Sequence, residues 1–291
     1  MRLALAQIAS SEDRAKNLDR VIESMDQAAQ EGADLIAFPE VVLDRFFPAE
    51  RGNVTCGAST CRGAAHALAE PIPGPTVERL QEKAAEHGLV TVFNLYERAD
   101  GTRFYDSSPV IDADGRLLGT TRMVHITDYE AFHEQDYYDP GDRGAPVYET
   151  RAGKIGVAIC YDRHYPEYMR ALAVAGADLV VIPQAGAVGE WPEGLFEAEV
   201  RAAAFQNGYF AALCNRVGVE EKITFAGESF VSDPDGHILS RGKTLEEDLV
   251  IVDIDLARCD ESSGRQLFMR DRRPELYADW LGEKASTGEE A

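Results

Sequence analysis

The sequence predicts an α/β protein in which two mixed β-sheets pack face to face, with helices outside. Strand-like and helix-like segments alternate from end to end of the 291 residues, the pattern of parallel strands joined by helical crossovers. Two Asp-x-Asp-Gly stretches, at 112–115 and 233–236, each lie between strand-like runs. They add antiparallel hairpins, which makes the sheets mixed. No linker or internal repeat divides the chain, so one domain is expected over residues 1–281, followed by a small, acidic, disordered tail at 282–291.

The elements follow in order. Residues 2–9 alternate apolar and polar, as a strand does. Residues 13–31 carry Leu18, Val21, Ile22, Met25, Ala28 and Ala29 at helical spacing and stop at Gly32, a helix-ending residue. Residues 34–39 form a short buried strand. A helix over 76–87 follows Pro73-Gly74-Pro75 and closes at Gly88; a strand over 89–97 comes next. Residues 104–111 and 116–126 form the first hairpin. Residues 154–159 form a strand ending at Cys160. Helices over 166–175 and 195–207 alternate with strands over 178–182 and 209–216, and a last strand covers 248–254. Residues 46–70 form a long loop with Cys56, Cys61 and His66; loops of that length in compact domains are usually functional.

Composition excludes several classes. With 29 basic and 51 acidic residues the net charge is −22. That field repels phosphate backbones and anionic lipid, so neither nucleic acid nor a membrane surface is an expected partner. Hydrophobic residues at 45% exclude wholesale disorder. The apolar stretch at 3–9 contains Gln7 and runs into Ser-Ser-Glu-Asp, unlike a signal peptide; the apolar run at 171–182 contains Asp178 and is short of a membrane span. Five cysteines without framework spacing point to reduced thiols and a cytoplasmic location.

There is no G-x-S-x-G elbow, P-loop or H-E-x-x-H. Cys56, Cys61 and His66 lack a fourth ligand and read as loop residues, so no metal and no cofactor is expected. The informative segment is Ile155-Gly-Val-Ala-Ile-Cys160-Tyr-Asp-Arg-His-Tyr-Pro-Glu167. A cysteine where a strand turns into a helix sits beside freed backbone N–H groups, where a nucleophile and an oxyanion hole form together. Glu40 closes another apolar strand, Leu35-Ile-Ala-Phe-Pro-Glu40; partial burial there would raise its pKa and suit a general base. On spacing alone, Cys160 as a small buried hydrophobe and Glu40 as a surface cap remain alternatives.

These blocks, together with Asp112-Ala-Asp-Gly-Arg-Leu-Leu-Gly119 and Tyr138-Asp-Pro-Gly141, resemble the nitrilase superfamily of carbon–nitrogen hydrolases over nearly the whole chain, closest in flavour to the N-carbamoyl amidohydrolases. The resemblance implies a four-layer αββα sandwich that assembles as a homodimer or larger homo-oligomer. It implies a small-molecule amide or carbamoyl substrate and a Glu–Lys–Cys triad with a second glutamate. Cys160 is then the nucleophile, Glu40 the base and Glu134 the second glutamate. The Tyr161 backbone N–H is an oxyanion donor, and the strand end at Gln184 and Ala185 lines the pocket.

The same resemblance places Met123 where the lysine should stand, in Thr121-Arg-Met-Val-His-Ile126. Three accounts fit: a subfamily with altered chemistry, a homologue that binds without turnover, or an engineered inactivation. Strand alternation would put His125 on the face of Met123, with Arg122 and Val124 opposite, which makes His125 the better substitute cation. A Cys–His hydrolase using His125 or His164 as base is a third reading. Arg163 is the other nearby cation, suited either to a substrate carboxylate or to an ion pair with Asp162 or Glu167. Trp191 reads as packing, and Glu197, Glu199 and Arg201 as a solvated or interface helix face. Asn215 and Arg216 read as supports behind the site.

Overall fold

The structure is a computed structural model describing residues 1–52 and 64–281. It begins with β1 (Arg2–Gln7) and α1 (Arg14–Gln30). The Asp13 carboxylate starts α1 by accepting the N–H groups of Ala15 and Lys16 at 3.1 and 3.2 Å, two donors that the first helical turn leaves without partners. Next come β2 (Leu35–Ala37), α2 (Pro75–His87), β3 (Val90–Val92), β4 (Leu95–Arg98), β5 (Phe104–Ile111) and β6 (Leu117–Arg122). The second half holds β7 (Val147–Thr150), β8 (Gly153–Val157), α3 (Pro166–Val174), β9 (Leu179–Gln184), α4 (Leu195–Asn207) and β10 (Phe210–Asn215). A ribbon of β11 (Val217–Val219) and β12 (Thr224–Ala226) follows, then β13 (Phe230–Ser232), β14 (Ile238–Arg241) and β15 (Asp248–Asp253). Short helices α5 (Arg258–Glu261) and α6 (Pro274–Leu281) come last.

The strands form two large sheets. One runs β15-β1-β2-β3-β5-β4 with β6 beside β5; the other runs β14-β13-β10-β9-β8-β7. Crossovers through helices leave β1/β2, β8/β9 and β9/β10 parallel, while hairpins leave β5/β6, β7/β8 and β13/β14 antiparallel. In the first hairpin Gly115 adopts φ +84°, a left-handed conformation that a side chain would strain.

Alternation along each strand then sorts the side chains into layers. Leu3, Leu5, Leu35, Val90 and Val92 of the first sheet meet Ile155, Val157, Leu179, Val181 and Phe210 of the second. The outer face of the first sheet, with Ala4, Ala6 and Ile36, packs on Val21 and Met25 of α1 and Val77 and Leu80 of α2. The outer face of the second, with Val180, Ile182 and Leu213, packs on Met169 and Leu172 of α3 and Val200 of α4. The result is the expected four-layer αββα sandwich. Each such aliphatic side chain contributes about 1.5–3 kcal/mol by leaving water.

Several strands are trimmed at their ends, and two of the expected strands are broken where the break serves the site. The expected strand over 89–97 splits into β3 and β4 because Asn94 turns inward. Its Oδ1 accepts the Val41 N–H at 2.7 Å and its Nδ2 donates to Ser108 Oγ at 3.1 Å and to Asp106. The expected strand over 116–126 ends at Arg122. Beyond it the Met123 carbonyl accepts the Gly141 N–H at 2.7 Å, and the Asp162 carboxylate accepts the N–H groups of Val124 and His125 at 3.2 and 3.0 Å. A Cβ on Gly141 would lie 2.7 Å from the Met123 oxygen, so only glycine fits there. The sequence reading did not anticipate β7, the β11/β12 ribbon, α5 or α6. The tail at 282–291 and loop residues Cys56 and Cys61 lie outside the described residues; His66 stacks on Phe104 with ring centroids 4.0 Å apart.

Candidate active site

β8 delivers Cys160 to the C-terminal edge of the second sheet, where the Ala158 N–H still bonds the Val181 carbonyl at 3.0 Å. Cys160 itself adopts φ +40° and opens a 3-10 turn, Cys160–His164. A non-glycine residue held in that region costs about 1–3 kcal/mol, a strain that clusters at functional sites. The turn leaves the first N–H groups, including that of Tyr161, without intrahelical acceptors. Gln184, at the end of neighbouring β9, donates from Nε2 to Cys160 Sγ at 3.2 Å. Arg163 Nη1 ties the two together, donating to the Cys160 carbonyl at 2.8 Å and to Gln184 Oε1 at 2.9 Å.

Opposite the thiol is an acidic cluster. Glu40 follows β2 and is fully buried, as is Glu134; Asp106, on β5, is 1% exposed. Glu40 stands within hydrogen-bonding reach of both Cys160 and Asp106. Beyond the thiol and the Glu40–Asp106 carboxyl pair itself, no donor among the described residues reaches either Glu40 oxygen, Asp106 Oδ2 or Glu134 Oε1. Burial, then the charges of Asp106 and Glu134, holds the Glu40 carboxyl well above the usual range. Burial and Asp106 do the same to Glu134. Asp106 rises to about 6, chiefly by burial, with the hydrogen bonds to Glu40 and then the Asn94 amide opposing. The Cys160 thiol is pushed up as well, by burial first and then by Glu40 and Glu134, while Arg163 pulls the other way.

The Glu40 turn is fixed from behind by Arg216, as the sequence suggested. Its guanidinium donates to the carbonyls of Glu40 at 2.9 Å, Val41 at 2.6 Å and Asp44 at 3.0 Å, and to Glu220 Oε1 at 2.7 Å. Asn215 likewise clasps the Gly186 peptide, accepting its N–H at 2.7 Å.

Met123 is fully buried and belongs to the apolar cluster that contains Cys160. Its N–H bonds the Asp106 carbonyl at 3.0 Å, so the backbone places it beside the acidic cluster. Arg122 faces elsewhere, to Glu97 Oε2 at 2.8 Å and Asp142 at 2.8 Å.

His125 does not replace a lysine in the way alternation suggested. The strand stops before it, and its ring is clamped by Asp162 Oδ1 at 2.7 Å and by stacking on Tyr165 at 3.4 Å. Arg163 pairs with neither Asp162 nor Glu167. Its Nε faces Glu199 at 3.6 Å and its guanidinium lies over Phe196. Glu199 also holds His164 Nδ1 at 2.8 Å, so it supports the site rather than a solvated face.

Ala185 is buried under Phe46, Phe132 and Phe225. Tyr161 and Trp191 border a group of aromatic rings: Trp191 lies 5.8 Å from Tyr129 and 5.3 Å from His164. Glu190 takes the Tyr129 hydroxyl and the Ala187 N–H.

Sequence reasoning missed Asp106, Asn94 and Glu199. The signal for Asp106 was present: a carboxylate in the middle of the otherwise uncharged run Phe104-Tyr-Asp-Ser-Ser-Pro-Val-Ile111. Among the described residues one group has ligand atoms close enough for a metal, Asp233, Asp235 and His237. It lies in the β13–β14 turn, where Arg258 Nη2 already donates to both carboxylates.

An αββα sandwich carrying a strained strand-end cysteine beside buried glutamates is a frame in which a thiol and a carboxyl can act on the same bound group. The chain belongs to the carbon–nitrogen hydrolase family, whose model matches residues 2–263. It is 33% identical to an N-carbamoylputrescine amidase of Solanum lycopersicum, over 94% of this chain and 93% of that one. The fold matches a carbon–nitrogen hydrolase of Helicobacter pylori G27 with a TM-score of 0.88 at 27% identity, over 97% and 99% of the two chains. It also matches an amidase of Nesterenkonia sp. AN1, seen in a glutamate-to-glutamine mutant with acrylamide added at the active-site cysteine. That TM-score is 0.78 at 27% identity, over 97% and 100%. The family and these relatives make the protein a hydrolase. Among the described residues no helix is long and apolar enough to cross a membrane.

Proposed function

We propose that this protein hydrolyses a non-peptide carbon–nitrogen bond in a small carbamoyl amide or carboxamide through a Cys160 thioester. The observation that carries the reading is Cys160 at φ +40° on its strand end, within hydrogen-bonding reach of Glu40. Cys160 attacks the carbon and Glu40 takes the thiol proton and passes it to the departing nitrogen. Water activated by Glu40 then releases the acyl group. The Tyr161 N–H stabilises the developing oxyanion, Gln184 and Arg163 hold the thiol's turn, and Glu134 and Ala185 shape the pocket. His125 acts through Asp162 rather than on substrate. The triad is altered: Met123 supplies no charge, and losing one oxyanion donor costs about 10²–10³-fold in rate.

A second reading is supported by the raised Cys160 thiol: a homologue that binds a small ligand without turnover. Ammonia release from carbamoyl amino acids, simple amides and nitriles, measured for the parent, Cys160→Ala and Met123→Lys, separates the two. Turnover by the parent that Cys160→Ala abolishes is the expected result. Activity in Met123→Lys alone would favour the second reading.

We also propose a single domain in the cytoplasm and a homo-oligomer. Cys160, Cys214 and Cys259 are free thiols. Val174, Trp280 and Leu281, 54%, 68% and 67% exposed, gather at one groove beside α3 and suit a second copy of the chain.

A further inference from the structure

We propose that the head attacked by Cys160 is cationic, an amidinium or guanidinium group, in preference to the neutral amide of the same shape. The inference rests on the reading of Cys160 as the nucleophile of carbon–nitrogen hydrolysis, and it specifies that site's substrate.

The pocket around the thiol holds an excess of acceptors. Glu40, Asp106 and Glu134 are buried around the thiol, and apart from the thiol and one another four of their oxygens meet no donor among the described residues. The Tyr138 hydroxyl, also buried and without a hydrogen-bond partner among the described residues, borders the same three carboxyl groups. A buried carboxylate without donors is costly, so a ligand that brings donors is favoured.

The two neighbouring guanidinium groups do not meet this need. Arg163 spends Nη1 on the Cys160 carbonyl and Gln184, and its Nε faces Glu199 at 3.6 Å; its buried Nη2 bonds no acceptor among the described residues, the three carboxyls included. Arg216 grips backbone carbonyls and Glu220. Met123 contributes a thioether, at best a weak acceptor.

A neutral amide fits this site poorly. It brings two N–H donors and one more acceptor oxygen, and thiolate attack turns that oxygen into an anion beside three acids. An amidinium brings four N–H donors and a positive charge. Thiolate attack on its carbon cancels the two charges, so no oxyanion forms and no lysine is needed to hold one.

The steps balance. The C–S bond forms while the thiol proton passes to Glu40. That proton moves to one nitrogen, the C–N bond breaks, and ammonia leaves. Water then adds to the same carbon and gives a proton to Glu40. The C–S bond breaks and the thiol recovers its proton. Overall an amidinium and water give an amide and ammonium; a guanidinium gives a urea and an amine or ammonium.

The test uses the full chain with acetamidinium and acetamide as probes. Each is titrated as a protectant of Cys160 against iodoacetamide, read at that cysteine by mass spectrometry, and each is assayed for ammonia release. Acetamidinium is expected to protect at concentrations at least tenfold below acetamide and to be hydrolysed at least tenfold faster. Met123→Lys should reverse both preferences, because its ammonium would occupy the carboxylates. Glu134→Gln should weaken acetamidinium protection at least tenfold more than acetamide protection, which serves if the lysine variant does not fold. Protection or turnover by acetamide equal to or better than acetamidinium overturns the inference and leaves the hydrolase reading standing. If the parent releases ammonia from neither probe, the hydrolase reading is decided by the panel of carbamoyl amino acids, amides and nitriles. The protection ratio then still decides whether the site holds a cationic head.

Discussion

Met123→Lys should change how the stability of this protein depends on pH. In the fold Glu40 and Glu134 hold their protons well above the ordinary glutamate range, and Asp106 holds its own to about 6. In the unfolded chain all three ionise near pH 4. Above that point the native state binds more protons than the unfolded state, so stability falls as pH rises. The slope is about 1.4 kcal/mol per pH unit for each proton retained. From pH 5 to pH 7 a single retained proton therefore costs about 3 kcal/mol, a large share of a total near 5–15 kcal/mol.

Exposed carboxylates held low by arginine or lysine, such as Asp100 beside Arg103 and Asp26 beside Lys83, act with the opposite sign. Their contribution is present above the ordinary carboxylate range and is lost only as pH falls below about 4. Asp44 and Asp162, also held up by burial, act with the same sign in every variant, so the difference between variants from pH 5 to 7 isolates the group beside position 123. A lysine at position 123 lets one carboxyl ionise inside the fold and should flatten the slope by about 1.4 kcal/mol per pH unit. Urea unfolding midpoints at pH 5, 6 and 7 for the parent, Met123→Lys and Met123→Leu measure this directly, with Met123→Leu expected to keep the parent slope. Parent stability that is flat or rises over this window would refute the reasoning, as would a lysine variant with an unchanged or steeper slope.

Other outcomes follow from the same geometry. Cys160→Gly and Cys160→Ala should both lose ammonia release. By thermal melting, however, the glycine variant should be the more stable by about 1 kcal/mol, because only glycine sits at φ +40° without strain. Arg216→Met removes four hydrogen bonds from a fully buried guanidinium. It should cost about 3–5 kcal/mol in urea unfolding and lower turnover by freeing the Glu40 turn. Gly141→Ala places a methyl against the Met123 carbonyl and should lower both Tm and turnover by displacing the end of β6. Iodoacetamide should label Cys160 slowly at pH 7, with a rate still rising past pH 9, because burial and two carboxyl groups hold the thiol up. A plateau below pH 7 would show that a cation has been overlooked.

The sequence alone determined the layers. Period-two alternation in strands such as β1 and β9, and helical spacing in α1 and α2, are local properties of the chain. Each apolar face has one partner to bury against, so the αββα stack follows. Strand-end positions of Cys160 and Glu40 were legible for the same reason, since an apolar run that stops at a polar residue marks where a sheet edge opens.

What stood against Cys160 was decided by tertiary structure. Asp106 arrives from β5 and Glu134 from a loop almost thirty residues later, and nothing in local spacing brings the two together. Alternation also misled: it paired His125 with Met123, but the ladder ends at Arg122 because Gly141 and Asp162 take the next backbone groups. Arg163 and Glu199 met across two elements that sequence reasoning treated separately. Burial is the common physical reason. Whether a carboxyl or thiol keeps its proton depends on what the whole fold removes from water around it, and that is fixed only when distant segments close over the same few atoms.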